Sequence, residues 1–336
     1  MVSKRKHRPA VLFEKTRAGI KCLVCIRECL VKDKSFGFCK LYFSKKERLY
    51  TLAWGKVIAT EVAPIEKAHI YHFLPGSKAL LVYLPGDSLL QNESIFKSES
   101  ELIGKNITPE KLANMAKKKK VKTIVFGEDA TYHFEYVLRV ARAAKRVGIR
   151  SIAITQGLIN PAAVKKWSKY IDGILVRIKA SLSPGFYSNF LNIRNVNLIK
   201  QVLKQIVKSR MHLEIVNEII PQIGDDLAEV GKFTQWISNE LGTSIPVHMI
   251  RFFPNERFPD LPATPLETLE RAIDKARSVG LRYVYIGNVP QHPDENTYCF
   301  NCRTLLITRE EFEVRNINLV HGRCPRCGIK IDIVMD

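Results

Sequence analysis

Long apolar runs are missing from this sequence. No segment approaches the roughly 18 consecutive apolar residues of a membrane-spanning helix, so no membrane partner is expected. Walker-type phosphate loops, GxGxxG, HExxH and GxSxG are absent too, which leaves no motif-based ground for a P-loop enzyme, a dinucleotide fold, a zinc protease or a serine hydrolase. Acids are scarce beside bases: 33 Asp and Glu stand against 53 Lys and Arg, a net charge of +20. An excess of that size favours a polyanionic partner, nucleic acid or ribosome, or else an acidic protein. Aromatic residues rarely interleave the Lys- and Arg-rich stretches, so attraction to phosphates is expected ahead of stacking on bases. The opening MVSKRKHRPAVLFEK is basic but lacks the apolar segment and cleavage site of a secretory signal, and a cytoplasmic protein is expected.

Cysteine is confined to two groups of four. In an intracellular chain such grouping points to metal before disulfide. The first group, Cys22-x2-Cys25-x3-Cys29-x9-Cys39, places two thiols on one short turn and has Gly37 to tighten a second knuckle before Cys39. Four soft sulfurs at this spacing suit tetrahedral Zn²⁺, with an iron–sulfur cluster as the alternative. The second group, Cys299-x2-Cys302-x21-Cys324-x2-Cys327, pairs two C-x2-C knuckles across a hairpin-like spacer, LLITREEFEV. That pattern reads as a zinc ribbon or rubredoxin-like module, whose closed structural Zn²⁺ stabilises a segment too small to hold itself by burial. Two structural zinc sites are therefore expected.

Between the groups, strand and helix patterns alternate. Apolar, β-rich runs at Ala79–Leu84, Lys122–Phe126, Arg150–Thr155, Ile174–Ile178, His212–Val216, Val247–Phe252 and Tyr283–Ile286 predict seven strands. Helical patterns are expected near His133–Val147, Pro161–Tyr170, Asn195–Ser209, Leu227–Leu241 and Pro265–Val279, three of them ending at Gly148, Gly242 and Gly280. Such alternation predicts parallel strands with crossover helices, in a barrel or an open doubly wound sheet. The basic run Met115–Lys122, MAKKKKVK, reads as the solvated end of a helix or as a docking surface.

Six sequence words narrow the choice: PIEK (Pro64–Lys67), YHFLPGS (Tyr71–Ser77), PVHMIRFFP (Pro246–Pro254), TPLETLERA (Thr264–Ala272), YIGNVP (Tyr285–Pro290) and NTYC-x2-C (Asn296–Cys302). With these the chain, from Cys22 to about Lys330, resembles a branch of the radical S-adenosylmethionine (SAM) superfamily. That branch is related to pyruvate formate-lyase activating enzymes and is often labelled AmmeMemoRadiSam. The resemblance implies an α/β protein with a partial or complete (β/α) barrel of radical-SAM type. Its expected parts are an N-terminal, β-rich module with four cysteine ligands over 1–62, the barrel over 63–290 and a C-terminal ribbon over 291–336.

The resemblance also shows what is missing. After Pro85-Gly86 the family carries C-x3-C-x2-C, whose thiolates hold the catalytic [4Fe–4S] cluster. Here the segment reads Asp87-Ser88-Leu89-Leu90-Gln91-Asn92, with Asp87 at the first cysteine's place and no sulfur in the rest. No cluster is expected in the barrel. The resemblance places other residues at the barrel mouth: Glu128 and Asp129 at the acidic turn that touches SAM's amino group, Gln156 within a changed "TNG", Arg177 at the aspartate of "VDLK", and Lys179 at its lysine. Asn217 precedes "IIP", and His248 and Arg251 match the family. These eight are the candidate cofactor-binding set, and no catalytic residue is assigned. The expected function is a binding or scaffold protein, associated with nucleic acid, ribosome or a protein partner. The alternatives are an enzyme keeping a SAM or nucleotide pocket at the mouth, and iron–sulfur chemistry at Cys22, Cys25, Cys29 and Cys39.

Overall fold

A computed structural model describes residues 8–86, 102–127 and 129–336. Asp87–Asn92 and Glu128 lie outside the described residues. Eight strands form one mostly parallel sheet: β1 (Ala59–Pro64), β2 (Lys78–Tyr83), β3 (Thr123–Phe126), β4 (Arg150–Thr155), β5 (Gly173–Lys179), β6 (His212–Ile219), β7 (Val247–Arg251) and β8 (Val284–Gly287). Their order across the sheet is their order in the chain. Parallel register is explicit for β2 with β3, β3 with β4, β6 with β7, and β7 with β8. Helices α1 (Pro109–Lys118), α2 (Phe134–Arg146), α3 (Pro161–Trp167), α4 (Pro184–Leu191), α5 (Asn197–Lys208), α6 (Leu227–Glu240) and α7 (Leu266–Ser278) lie between strands, as crossover connections of parallel sheets require. The fold class is therefore α/β. All seven predicted strands are present, six of them within one residue of the expected bounds, while the strand expected over His212–Val216 runs three residues further, to Ile219. Helix α4 has no counterpart in the sequence reading, because PGFYSNFL carries no charge and three aromatic rings that blur any polar face.

Local chemistry explains where the helices begin. Thr108, Asn160, Ser183 and Asp226 each accept a hydrogen bond from a first-turn N–H, and proline follows the first three. Gly148 and Gly242 follow helix ends at φ of +76° and +103°, a region L-residues other than glycine rarely enter.

The chain divides into two compact units: Met1–Val62, Ala79–Ile174 and Asn197–Met211 make the first; Ala63–Lys78, Leu175–Val196 and His212–Asp336 make the second. In the first, two three-stranded antiparallel sheets build the N-terminal module, one from Arg8–Pro9, Arg48–Thr51 and Tyr42–Lys45, the other from Phe13–Thr16, Gly19–Cys22 and Leu30–Val31. This module is fastened to α2 by one buried carboxylate. Glu135 accepts from the Tyr42 hydroxyl at 2.7 Å and from the Val11 N–H at 3.1 Å. Burial raises the pKa of Glu135. Helices α1, α2, α3 and α5 pack as successive neighbours over this unit, with Phe134 and Trp167 stacked at 5.5 Å between α2 and α3. In the second unit a hairpin, Leu305–Glu310 with Glu313–Ile317, confirms the predicted spacer between the C-terminal knuckles.

Deleting the Tyr42 hydroxyl leaves a buried carboxylate oxygen short of its donor. Tyr42→Phe is expected to lower unfolding free energy by about 1–3 kcal/mol, read as a reduced denaturant midpoint at unchanged m-value; an unshifted midpoint would show that the pair does not anchor the module.

Candidate functional site

Four groups of residues carry chemistry. The C-terminal quartet is the most compact. Cys299 and Cys302 lie on the turn after the short strand Thr297–Tyr298, and Cys324 and Cys327 on a second turn. The sulfurs of Cys299 and Cys327 are 3.6 Å apart, as are those of Cys302 and Cys324, and all four ligand atoms lie within 4.8 Å of one another. Four thiolates on one tetrahedral ion with metal–sulfur bonds of about 2.3 Å would be ~3.8 Å apart, so the set fits a single ion. The Thr304 hydroxyl sits 3.2 Å from the Cys302 sulfur, and with the Thr304 N–H it pulls that thiol down to about 6. The Ile329 N–H lowers Cys327, while burial pushes Cys299 up to about 12. A bound cation would complete the deprotonation of all four. Tyr71, Tyr283, Tyr285, Leu306, Ile307 and Ile331 pack around Cys299 and Cys324 as a small core.

The N-terminal quartet is arranged differently. Cys22 ends the strand Gly19–Cys22, Cys25 and Cys29 follow on the next turns, and Cys39 comes after Gly37. All four line one cavity. The first knuckle is strapped to the loop after β4: Asn160 donates its N–H to the Val24 carbonyl at 2.9 Å, and Ile26 donates to Leu158 at 2.8 Å. Burial pushes Cys22, Cys25 and Cys39 upward, Cys25 to about 12 and Cys39 to about 11.

The mouth residues expected from the resemblance fall in both units. In the first, Asp129 is buried and caps a short helical turn by accepting from the Thr131 N–H at 2.9 Å. Gln156 is buried beside Thr155, whose hydroxyl is 2.7 Å from that of Thr131. In the second unit Lys179 forms an ion pair with Glu218. Asn217, fully buried, accepts from the Ser181 N–H and donates to its hydroxyl, both at 2.9 Å. These bonds clamp an unusual turn at the end of β5, where Ala180, Ser181 and Leu182 have φ of +46°, +53° and +55°. Consecutive left-handed L-residues cost roughly 1–2 kcal/mol each, and Asn217 offsets part of that. Gly224 is matched to the same turn, since a Cβ there would stand 2.5 Å from that of Ala180. Arg251 donates to the Thr264 carbonyl at 2.8 Å, its own carbonyl accepts from Asn288 at 3.0 Å, and Arg177 is half-buried on β5.

His248 leads to a group that sequence reasoning missed. Its Nε2 is 2.8 Å from Glu214, a carboxylate inside β6 that is 1% exposed. Glu214 also accepts from the backbone N–H groups of Tyr71 and His72 at 3.0 and 2.8 Å, and lies 2.9 Å from His212 Nε2. Burial would raise its pKa, but the hydrogen bonds from His212 and His248 overcome that and hold it well below the ordinary carboxylate range. His72 Nδ1 lies 2.7 Å from the Asp332 carbonyl and its Nε2 2.6 Å from the Tyr285 hydroxyl. A neutral ring satisfies both contacts, its Nδ1–H donating to the carbonyl and its Nε2 accepting from the hydroxyl. Nearby, the Arg309 guanidinium, 4% exposed, donates to the carbonyls of Glu295 and Tyr71 and lies 4.1 Å over the Tyr71 ring. The signal for Glu214 was present as a charged residue amid the apolar run HLEIV, but most of its partners lie more than thirty residues away in sequence. The network holds the 63–78 segment, β6, β7 and the ribbon together within the second unit, and its acid–base groups are turned on one another.

Burial pushes His72 down to about 3, so its folded form is neutral where the unfolded form titrates near 6.5. That contribution to stability is complete above pH 6.5 and is lost as pH falls toward 3, at up to about 1.4 kcal/mol per pH unit. His72→Gln should flatten the loss of stability between about pH 7 and 5 by close to one proton, measured from urea midpoints; an identical slope in both proteins would contradict the assignment.

No protein-family model matches the chain. Among solved structures, a domain of pyruvate-formate lyase-activating enzyme from Bacteroides vulgatus aligns at 15% identity and TM-score 0.42, over 48% of this chain and 97% of that one. A radical SAM methyltransferase from Sphaerobacter thermophilus aligns at 12% identity and TM-score 0.49, over 68% of this chain and 70% of that one. SuiB from Streptococcus suis, bound to S-adenosylmethionine, gives 14% and 0.47, over 66% and 52%. Likenesses this low carry nothing about chemistry to this chain. In sequence, the uncharacterized protein MJ0808 of Methanocaldococcus jannaschii is 32% identical over 337 residues, covering 98% of this chain and 100% of that protein. The chain belongs to the same protein family as MJ0808.

Proposed function

We propose that this protein acts by binding nucleic acid through its phosphates, on a radical-SAM-like frame that has lost radical chemistry and is braced by a closed structural Zn²⁺ at Cys299, Cys302, Cys324 and Cys327. The observation that carries the reading is the charge of one helical layer. Over α1, α2, α3, α5 and the turns that follow them (109–122, 134–150, 161–172 and 197–210) there are eighteen Lys and Arg and three acids, Glu110, Glu135 and Asp172. Glu135 is buried against Tyr42 and so adds nothing to the surface. Arg139, Arg142, Lys145 and Arg146 stand exposed on α2, Lys165, Lys166 and Lys169 on and after α3, and Lys117–Lys120 at the end of α1. A thermophile-type surface would mix Glu among these lysines. A face of nearly one sign concentrates polyanions and releases their counterions. Arg142 and Lys145 both lie 5.9 Å over the Tyr170 ring, which holds the two cations side by side.

Loss of radical chemistry rests on composition and on the mouth residues. No cysteine occurs between Cys39 and Cys299, so the C-x3-C-x2-C thiolates that the resemblance requires have no source there. In the second unit Lys179 is neutralised by Glu218, and Asn217 is committed to Ser181. The zinc assignment follows from the 3.6 Å sulfur pairs and four protein thiolates, which fill a tetrahedral ion and leave no position for substrate.

Fluorescence anisotropy with labelled duplex RNA should show affinity falling linearly in log salt. Replacing Arg139, Arg142, Lys145 and Arg146 together by alanine, a favourable helix residue, should weaken binding about tenfold or more and reduce the salt slope by roughly one for each phosphate left without its cation. Salt-independent binding, or a variant with unchanged affinity, refutes the proposed face. Separately, incubation with SAM and dithionite should yield no 5′-deoxyadenosine; its formation would overturn the loss of radical chemistry.

A further inference from the structure

The two cysteine quartets differ in geometry, and we propose that they hold different inorganic groups: a single ion at the C-terminus, and at Cys22, Cys25, Cys29 and Cys39 an iron–sulfur cluster of the [4Fe–4S] type. The C-terminal quartet serves as an internal ruler. Its sulfurs pair at 3.6 Å and all four meet within 4.8 Å, the spacing of thiolates sharing one ion. Among the described residues the N-terminal quartet does not meet that bound: no three of its sulfurs lie within 4.8 Å of one another. Yet all four line the same cavity, so they have a common centre without being in contact. A cubane cluster has this requirement, because each cysteine binds a different iron and the sulfurs stand apart around the core.

The lining fits such a group in two further respects. The Phe38 N–H donates to the Cys29 sulfur at 3.4 Å, and backbone N–H groups counter part of the upward push of burial on the thiols of Cys22, Cys25 and Cys39. Hydrogen bonds to sulfur stabilise cluster thiolates and tune the potential. The Arg27 guanidinium, also on the cavity wall, lies 4.1 Å over the Phe38 ring and supplies a fixed positive charge beside a group whose four thiolates carry negative charge. With Tyr42 and Tyr132 on the same wall and three of the four cysteines buried, the site is shielded from solvent.

A cluster here has a protein thiolate for every iron, so no iron is left open to chelate SAM. It is a structural or electron-holding group, and its presence does not depend on the nucleic-acid reading above. When bound, it supplies a one-electron couple; this chain's residues bind it, donate hydrogen bonds to its ligands and exclude water.

The test is metal content of the full chain purified anaerobically and reconstituted with ferrous iron and sulfide. About four iron and four acid-labile sulfide per chain, beside one zinc, are expected, with an absorption shoulder near about 400 nm that dithionite bleaches. In Cys22→Ser/Cys39→Ser the iron and the shoulder should be lost while zinc is retained; in Cys302→Ser/Cys327→Ser the zinc should be lost while the shoulder is retained. Two zinc and no iron in the reconstituted wild-type protein overturns the proposal whatever the variants do, as does a shoulder that persists in a folded Cys22→Ser/Cys39→Ser protein. These readouts involve neither RNA nor SAM cleavage, so failure here is separate from failure of the function proposed above.

Discussion

A single ionised carboxylate organises the second unit. Glu214 sits inside β6 with almost no exposure, where an unpaired charge would be prohibitive. It is tolerated because two backbone N–H groups and two histidines converge on its oxygens. Those donors come from three places in the chain, the 63–78 segment, β6 itself and β7, so the hydrogen bonds that satisfy the charge also dictate how the three pieces pack. His72, turned the other way, passes the connection on to Tyr285 and to the Asp332 carbonyl. Arg309 then ties the ribbon hairpin to the Tyr71 and Glu295 carbonyls. YHFLPGS and PVHMIRFFP supply donors and rings of this network through Tyr71, His72 and His248.

The metal modules solve a different problem. The C-terminal segment buries only a small core around Cys299 and Cys324, and an ion held by its four thiolates would add to what so short a segment gains from burial. The N-terminal module has more to lean on, since Glu135 receives Tyr42 and Val11, and the 158–160 segment pairs with the first knuckle. Its four cysteines line one cavity without being drawn together as the C-terminal four are. Two quartets that look alike on paper thus differ by what supports them.

Charge follows a third logic. The helices of the first unit bury Ala, Val, Ile and Leu and leave their outer positions to Lys and Arg, with acids almost excluded. Stability alone would be served better by mixed charge, because like charges on neighbouring helices repel. A surface kept at one sign against that cost is suited to a partner of the opposite sign.

What could be read directly from the residues was the alternation of strand and helix, the glycines that end three helices, the two cysteine groups and the excess of positive charge. Each of these is local: a periodicity, a spacing of a few residues or a sum. The remainder emerged only from the folded chain. Whether four thiols touch or merely surround a space depends on how turns ten or twenty residues apart are held. Asn217 looked like a ligand-binding residue in sequence, but across the β5–β6 pair it clamps the left-handed turn at Ser181, a contact between residues 36 positions apart. Glu214 was visible only as a charge inside an apolar strand, and its meaning came from Tyr71 and His72, 143 and 142 positions upstream. The physical reason is the same in each case: sheet register and packing choose which distant polar atoms share a small dry volume, and hydrogen bonding then gives each one its role.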